Sequence, residues 1–503
     1  DVYKRQDLNA RSRITLDDGR TTQNPDPAIH QNGDVFDLTN LFRGGDLAQG
    51  ATGVIDETFG IYRIQPTQGA NYTVTNPRPA APEPVGGRLK VASLNVLNYF
   101  TTLDEGGNLC GPPGFEAGCR GADNQNEFDR QRSKIIPALL GLEADVIGLM
   151  EIQNSGTDEA VADLVVGMND ATAPGTYAYI PTGFVGTDVI IQAFLYKVAS
   201  VTPLGDFAAL DDASFTDPNN LGSAKNRPAL AQSFTENDGG AVFTAVVNHL
   251  KSKGSGCGAG DDDPEQGSCN LTRTLAVQEL LSWLDTDPTG SNDNEFLIIG
   301  DLNAYDKEDP IDVLTAAGYT DLELKYGGDY AYSYVFSGQF GYLDYAMSNA
   351  SLTSQVTGAA TWHTNSDEPD ILDYDTRFKK PAQQALFEEN EFRASDHDPV
   401  VIGLELTSAK TLKEAASLDL SLLLPTADKN TDKQLSKAID DIEASLDVAW
   451  WTSDQTITDK KVFDRERSAI AQLSLIVASS APEADAAMAA IDALLTADRQ
   501  LAQ

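Results

Sequence analysis

The chain has 503 residues, more than one ordinary domain holds, and its 41% hydrophobic and 22% charged content is that of a folded protein. Its 36 basic and 76 acidic residues leave a net charge of −40. That balance argues against non-specific attraction to nucleic acid or anionic membrane, and no stretch nears the roughly 18 apolar residues of a membrane span. Such acidity also fits a salty medium, where charge repulsion is screened within about 10 Å.

The first residues, DVYKRQDLNA, lack an initiator Met and do not read as a domain start, so a processed or truncated N terminus is expected. Residues 1–75 mix short β-like runs with turns. GATGVIDETFGIYRIQPT (50–67) alternates around glycine and predicts strands of a small OB-like barrel. NPRPAAPEPVGGR (76–88) reads as a Pro/Gly linker and a domain boundary.

From 89 to 407, apolar runs of strand length recur: LKVASLNVLNYF, ADVIGLMEIQN, AFLYKVASV, AVFTAVVNHLKS, NEFLIIGDLNAY, GYLDYAMSN and DPVVIGLEL. Helical patterns lie between some of them, at 128–142 and 272–284. A mixed α/β domain is predicted. Residues 408–503 change texture, with apolar residues at helical spacing over 433–451, 461–480 and 484–502, and predict a bundle of three or four helices. That bundle holds neither histidine nor cysteine and is expected to serve packing or attachment.

The four cysteines form two local pairs inside loops rich in glycine, CGPPGFEAGC and CGAGDDDPEQGSC. Of three possible pairings, Cys110–Cys119 and Cys257–Cys269 are expected, which implies an oxidising, extracellular setting. A zinc site would want tighter spacing or neighbouring histidines. Asp261–Asp263 in the second loop lacks the spaced ligands of a calcium loop and reads as a solvated cluster.

Polar residues gather at the ends of the apolar strands: Asn95, Glu151, His249, Asp301, Asn303, Asp344, Asp396 and His397. Each has an ordinary explanation, such as a hydrogen-bonded core Asn95 or an Asx turn at Asp301. Buried charge is costly without a partner, so their joint occurrence points to a metal and phosphate site. His30 and His363 lie away from strand ends and are expected to take no part.

LNVLNY, MEIQN, NHLKS, GDLNA, LDYAMS and SDHDPV, in that order, resemble the signature blocks of the endonuclease/exonuclease/phosphatase superfamily, typified by deoxyribonuclease I. The two cysteine loops and the preceding segment resemble its secreted bacterial ExeM-type nucleases. The resemblance implies a two-layer β-sandwich flanked by helices, over residues 89–405, with the active site at one rim. It implies Glu151 as ligand of a catalytic Mg²⁺, with Mn²⁺ or Ca²⁺ as alternatives, helped by Asn95 and by Asp396 facing metal and phosphate. Asp301 would orient or activate water, and Asn303 and Asn95 would contact phosphate. Asp344 would orient His397 as general base, and His249 would act as acid or phosphate ligand. Asp188, ahead of VIIQAFLYK, is the candidate partner of His249, and Arg227 in NRPALAQSF is the phosphate-contacting arginine. Asp398 is expected to be a turn residue.

The implied activity is a secreted, metal-dependent nuclease acting on DNA, with RNA also open. A phosphatase or phospholipid phosphodiesterase is the alternative on this fold, and a non-catalytic surface binding module a third reading. Nucleic acid is the expected partner, and no protein partner can be read. Lys251, Lys253, Arg273, Arg130, Arg132 and Lys134 are the expected phosphate-covering cations.

Overall fold

The computed structural model describes residues 8–446 and 460–501. Two six-stranded sheets form its centre. Their strands, in chain order, are β1 (Leu89–Tyr99), β2 (Val146–Gln153), β3 (Tyr177–Tyr179), β4 (Ile190–Lys197), β5 (Val201–Leu210), β6 (Ala229–Glu236), β7 (Val242–His249), β8 (Phe296–Asp301), β9 (Thr320–Asp321), β10 (Asp344–Ser348), β11 (Val356–Thr361) and β12 (Val400–Leu404). One sheet has the order β3-β4-β2-β1-β12-β11, the other β5-β6-β7-β8-β10-β9. The run AFLYKVASV is not one strand, because residues 198–200 turn the chain from one sheet into the other.

Each sheet holds one parallel pair at its middle, β1 with β2 and β7 with β8. A parallel pair needs a crossover, and each crossover here is built alike. A disulfide-closed loop leaves the first strand and a long helix returns the chain: Gln125–Gly141 in one sheet, Asn270–Leu284 in the other. The carboxyl ends of all four parallel strands therefore meet at one rim. Ligands of α/β sheets bind outside such ends.

The inner faces of the sheets pack on one another through Val91, Phe194, Phe234, Phe243, Val247, Ile299 and Ile402. Gly148 lets them approach, since a Cβ there would lie 2.5 Å from Val247 Cγ2. The outer faces are covered by helices, including Glu159–Ala171, which the periodicity left unread, and Asp309–Ala316. The expected sandwich flanked by helices is present.

Among the described residues, the N-terminal segment does not close into a barrel. It forms a three-stranded sheet (Thr15–Leu16, Thr52–Thr58, Ile61–Gln68) and a two-stranded one (Leu47–Gln49, Asn71–Thr73). Nor do residues 76–88 behave as a free linker. The Pro79 carbonyl accepts from Trp362 Nε1 at 3.3 Å, the Val85 carbonyl accepts from Thr357 Oγ1 at 2.8 Å, and Arg78 pairs with Glu368 at 2.7 Å. Arg43 reaches the same Glu368 at 2.6 Å, so the segment is fastened to the sandwich. His30 is buried there among Phe36, Phe42 and Tyr72.

At the other end, Ala409–Leu422, Lys429–Ser445, Lys460–Ala478 and Ala484–Leu501 form the expected bundle around Leu420, Leu435, Ile442, Leu473 and Leu494. The stretch 447–451 of the predicted first helix lies outside the described residues. No helix among the described residues is long and apolar enough to cross a membrane.

Candidate active site

Strand geometry alone would send alternate side chains of β1 and β2 to opposite faces. Irregular backbone at the rim redirects them. Glu151 sits within β2 at φ +66°, a left-handed conformation that a residue with a Cβ adopts at a cost of about 1–3 kcal/mol. The pairing of β1 with β2 slips between Asn95 and Tyr99, where Leu97 and Asn98 also have positive φ. The strain points the Glu151 carboxylate at the rim, where it accepts from Asn98 N at 2.9 Å and Asn95 Nδ2 at 3.2 Å.

From the second sheet, Asp301 ends β8 directly between His249 of β7 and Asp344 of β10. Asp301 Oδ2 lies 3.5 Å from His249 Nε2, 3.8 Å from His397 Nε2, 3.1 Å from Asn303 Nδ2 and 3.4 Å from Asn95 Nδ2. Its other oxygen accepts from Asn303 N at 2.8 Å, so Asp301 also forms the Asx turn. His397 Nδ1 lies 2.8 Å from Asp344 Oδ2, which also accepts from Ser333 Oγ at 2.7 Å. The structure thus brings together Asn95, Glu151, His249, Asp301, Asn303, Asp344 and His397.

Burial and like charge hold the carboxylates above their usual range. Asp301 is pushed up to about 7, by desolvation and by Asp344 and Glu151, against the opposing pull of His397. Glu151 is raised by burial and by the nearby Asp396. The histidines diverge. Burial would lower His397, but Asp344, Asp301 and Asp396 outweigh it and hold it well above the ordinary value. His249 is driven well below that value by burial, then by Arg227, His397, Arg120 and Lys251.

Among the described residues, no group of three or more His, Cys, Asp or Glu forms a ready cage for a metal. Mg²⁺ does not require one: it favours one or two carboxylates, with water and phosphate oxygens completing the shell. Glu151, flanked by Asn95 and by the half-exposed Asp396, offers hard oxygen ligands where negative charge is in excess. The residues present fit such an ion.

Several expectations need correction. Asp188 is not the partner of His249; it binds Arg227 Nε at 3.0 Å and Arg120 at 3.3 Å, and the carboxylates beside His249 are Asp301 and Glu151. Asp398 is not merely a turn residue. Fully buried, it accepts from Asn365 N at 2.7 Å, Ser366 N at 2.9 Å and Ser366 Oγ at 2.5 Å, and lies 3.0 Å from His363 Nδ1. His363 is therefore structural, stacked on Tyr332 at 3.9 Å.

Most of the expected phosphate-covering cations are engaged elsewhere. Arg273 and Lys134 are buried, Arg132 pairs with Asp163, Lys253 pairs with Glu308, and Arg130 lies over Phe387. Burial lowers Lys134 to about 8. Asp261–Asp263 accept backbone hydrogen bonds that shape the second disulfide loop, among them Thr272 N, Cys257 N and Gln266 N.

Sequence reading missed three supports of the site. Tyr334 stacks on His397 at 4.6 Å, Ser395 Oγ donates to the Asn95 carbonyl at 2.6 Å, and Asn365 Nδ2 donates to the His397 carbonyl at 2.6 Å. Only Ser395, inside SDHDPV, carried a signal.

Among solved structures, the human Nocturnin catalytic domain aligns at 14% identity and TM-score 0.39, covering 63% of this chain and 93% of that one. An endonuclease/exonuclease/phosphatase from Bacteroides vulgatus aligns at 13% and 0.38, covering 63% and 99%. TDP2 from D. rerio, complexed with single strand DNA product, aligns at 14% and 0.36, covering 62% and 97%. The chain is similar to them in fold. No family model and no curated protein sequence matches it.

Proposed function

We propose that the chain is a secreted, divalent-cation-dependent phosphodiesterase that hydrolyses nucleic acid, DNA foremost. One observation carries this reading: the 2.8 Å contact of Asp344 with His397 Nδ1 leaves Nε2 of the same ring facing Asp301 and the rim where Glu151 stands. A divalent ion held by Glu151, with Asn95 and Asp396, would supply charge neutralisation at the phosphoryl oxygens.

The chain's own groups do the rest. Asp344 fixes the His397 ring, so that Nε2 and Asp301 together face an attacking water. The carboxylates of Asp344, Asp301 and Asp396 hold the His397 ring above the ordinary histidine value against the effect of burial. Neutral His249 and the Asn303 amide stand on the other side of Asp301 to meet a phosphate oxygen or the leaving group. Arg227, held by Asp188, adds a fixed positive charge next to His249. Two disulfides, Cys110–Cys119 and Cys257–Cys269, support an oxidising compartment, and the loops and order of motifs support the ExeM-type branch.

Incubation with plasmid DNA and Mg²⁺, with and without EDTA, tests the reading. Cleavage that EDTA abolishes is expected; its absence overturns the reading, and hydrolysis confined to phosphomonoesters would make the protein a phosphatase.

A further inference from the structure

Of the cations next to the reacting centre, Lys251 follows His249 within a motif, while Arg120 and Arg227 stand outside the strand-end motifs. Beside Arg227 and Asp188 opens a cleft of about 460 Å³, bounded by the first disulfide loop and by residues 211–228. Arg120, Lys225 and Arg227 line it against the carboxylates of Asp188 and Asp211. Three cations against two carboxylates leave its lining one positive charge in excess on a protein of net charge −40. A local reversal of sign on so acidic a surface gathers anions from solution.

The cleft also holds an aromatic ring. Phe115 lines it while remaining 58% exposed. Its loop is held at both ends: the Cys110–Cys119 bridge is buried against Phe100, Val189 and Ile190, at the start of β4. Gly111 packs on Val189, where a Cβ would come to 3.1 Å. The ring is thus carried on an anchored loop, and binding against it costs little ordering entropy. The volume lies within the range of sites for molecules of nucleotide size, about 300–1,000 Å³.

We propose that this cleft is a subsite for one nucleotide adjoining the scissile phosphate, with Arg120 and Lys225 holding its phosphate and Phe115 stacking on its base. The inference rests on the nuclease reading and adds the path of the strand, which runs from His249 across Arg227 toward the first disulfide loop. Every base presents a π-face, so Phe115 confers affinity for a polymer and not a choice of sequence. The disulfide then serves substrate binding as well as folding.

The test uses the whole protein with a fluorescent single-stranded octanucleotide, read by anisotropy in EDTA so that no turnover intervenes. Phe115→Ala and Lys225→Glu are each expected to weaken binding by about 10-fold, the scale of one stacked base or one phosphate contact. Lys225→Glu is also expected to flatten the salt dependence. With Mg²⁺, hydrolysis of bis(4-nitrophenyl) phosphate, which is too small to span both places, should be unchanged in both variants. Wild-type binding by the variants, no binding by the wild type, or loss of small-ester hydrolysis in the variants would each overturn the subsite. Failure of metal-dependent plasmid cleavage would instead remove the nuclease reading, while the anisotropy still decides the cleft.

Discussion

Asp344 and His397 lie 53 residues apart in the chain and 2.8 Å apart in space, with Ser333 Oγ donating to the same carboxylate oxygen. The pair is buried, so its orientation does not depend on solvent. Asp344→Asn keeps the shape of the side chain but removes the charge that favours one tautomer. Its kcat should fall on the order of 10²–10⁴-fold with little change in KM. A variant within a few-fold of the wild type would show that His397 does not act through Asp344.

Glu151 combines a strained backbone with a half-buried carboxylate whose neighbours include Asp396. Glu151→Gln removes the charge and keeps the size. In EDTA the variant should melt at or above the wild-type temperature, because a partly desolvated charge crowded by Asp396 has gone. Mg²⁺ should raise the melting temperature of the wild type, as any ligand of the native state does, and leave the variant unmoved. Calorimetry with Mg²⁺ titration reads both, and equal Mg²⁺ shifts in the two proteins would exclude Glu151 as the ligand.

Asp398 receives hydrogen bonds from Asn365, Ser366 and His363 and thereby clamps residues 363–366 beneath the His397 loop. Asp398→Ala leaves several buried donors without an acceptor and should cost about 3 kcal/mol. Denaturant unfolding measures it. A loss well under 1 kcal/mol would mean that the loop relaxes and water replaces the carboxylate.

In the helical bundle, Lys413 and Glu466 form a fully buried ion pair. Lys413→Met alone strands a buried carboxylate and should destabilise by about 3–5 kcal/mol. Lys413→Met combined with Glu466→Leu should recover most of that loss, since apolar replacement of a buried pair is close to neutral or stabilising. Thermal unfolding of the two variants gives the comparison, and a double variant no better than the single would refute the coupling.

The sandwich and bundle were legible from sequence because apolar runs and helical periodicity report burial directly. LKVASLNVLNY and FLIIGD read as strands for that reason, and their polar ends marked the site. The N-terminal segment misled because alternation shows strands but not which edges meet. GATGVIDETFGIYRIQPT does form a hairpin, and closure into a barrel depends on pairings it does not make.

By itself, then, the sequence determined which residues stand at strand ends, because hydrophobic pattern and position along a strand are local properties. It also determined the cysteine pairs, which lie within single loops. Tertiary structure alone decided which charges face one another: Asp344 and not Asp398 for His397, Asp301 and not Asp188 for His249, and Asp188 for Arg227 and Arg120. Electrostatic partnership falls off with distance in space, and separation along the chain does not measure that distance.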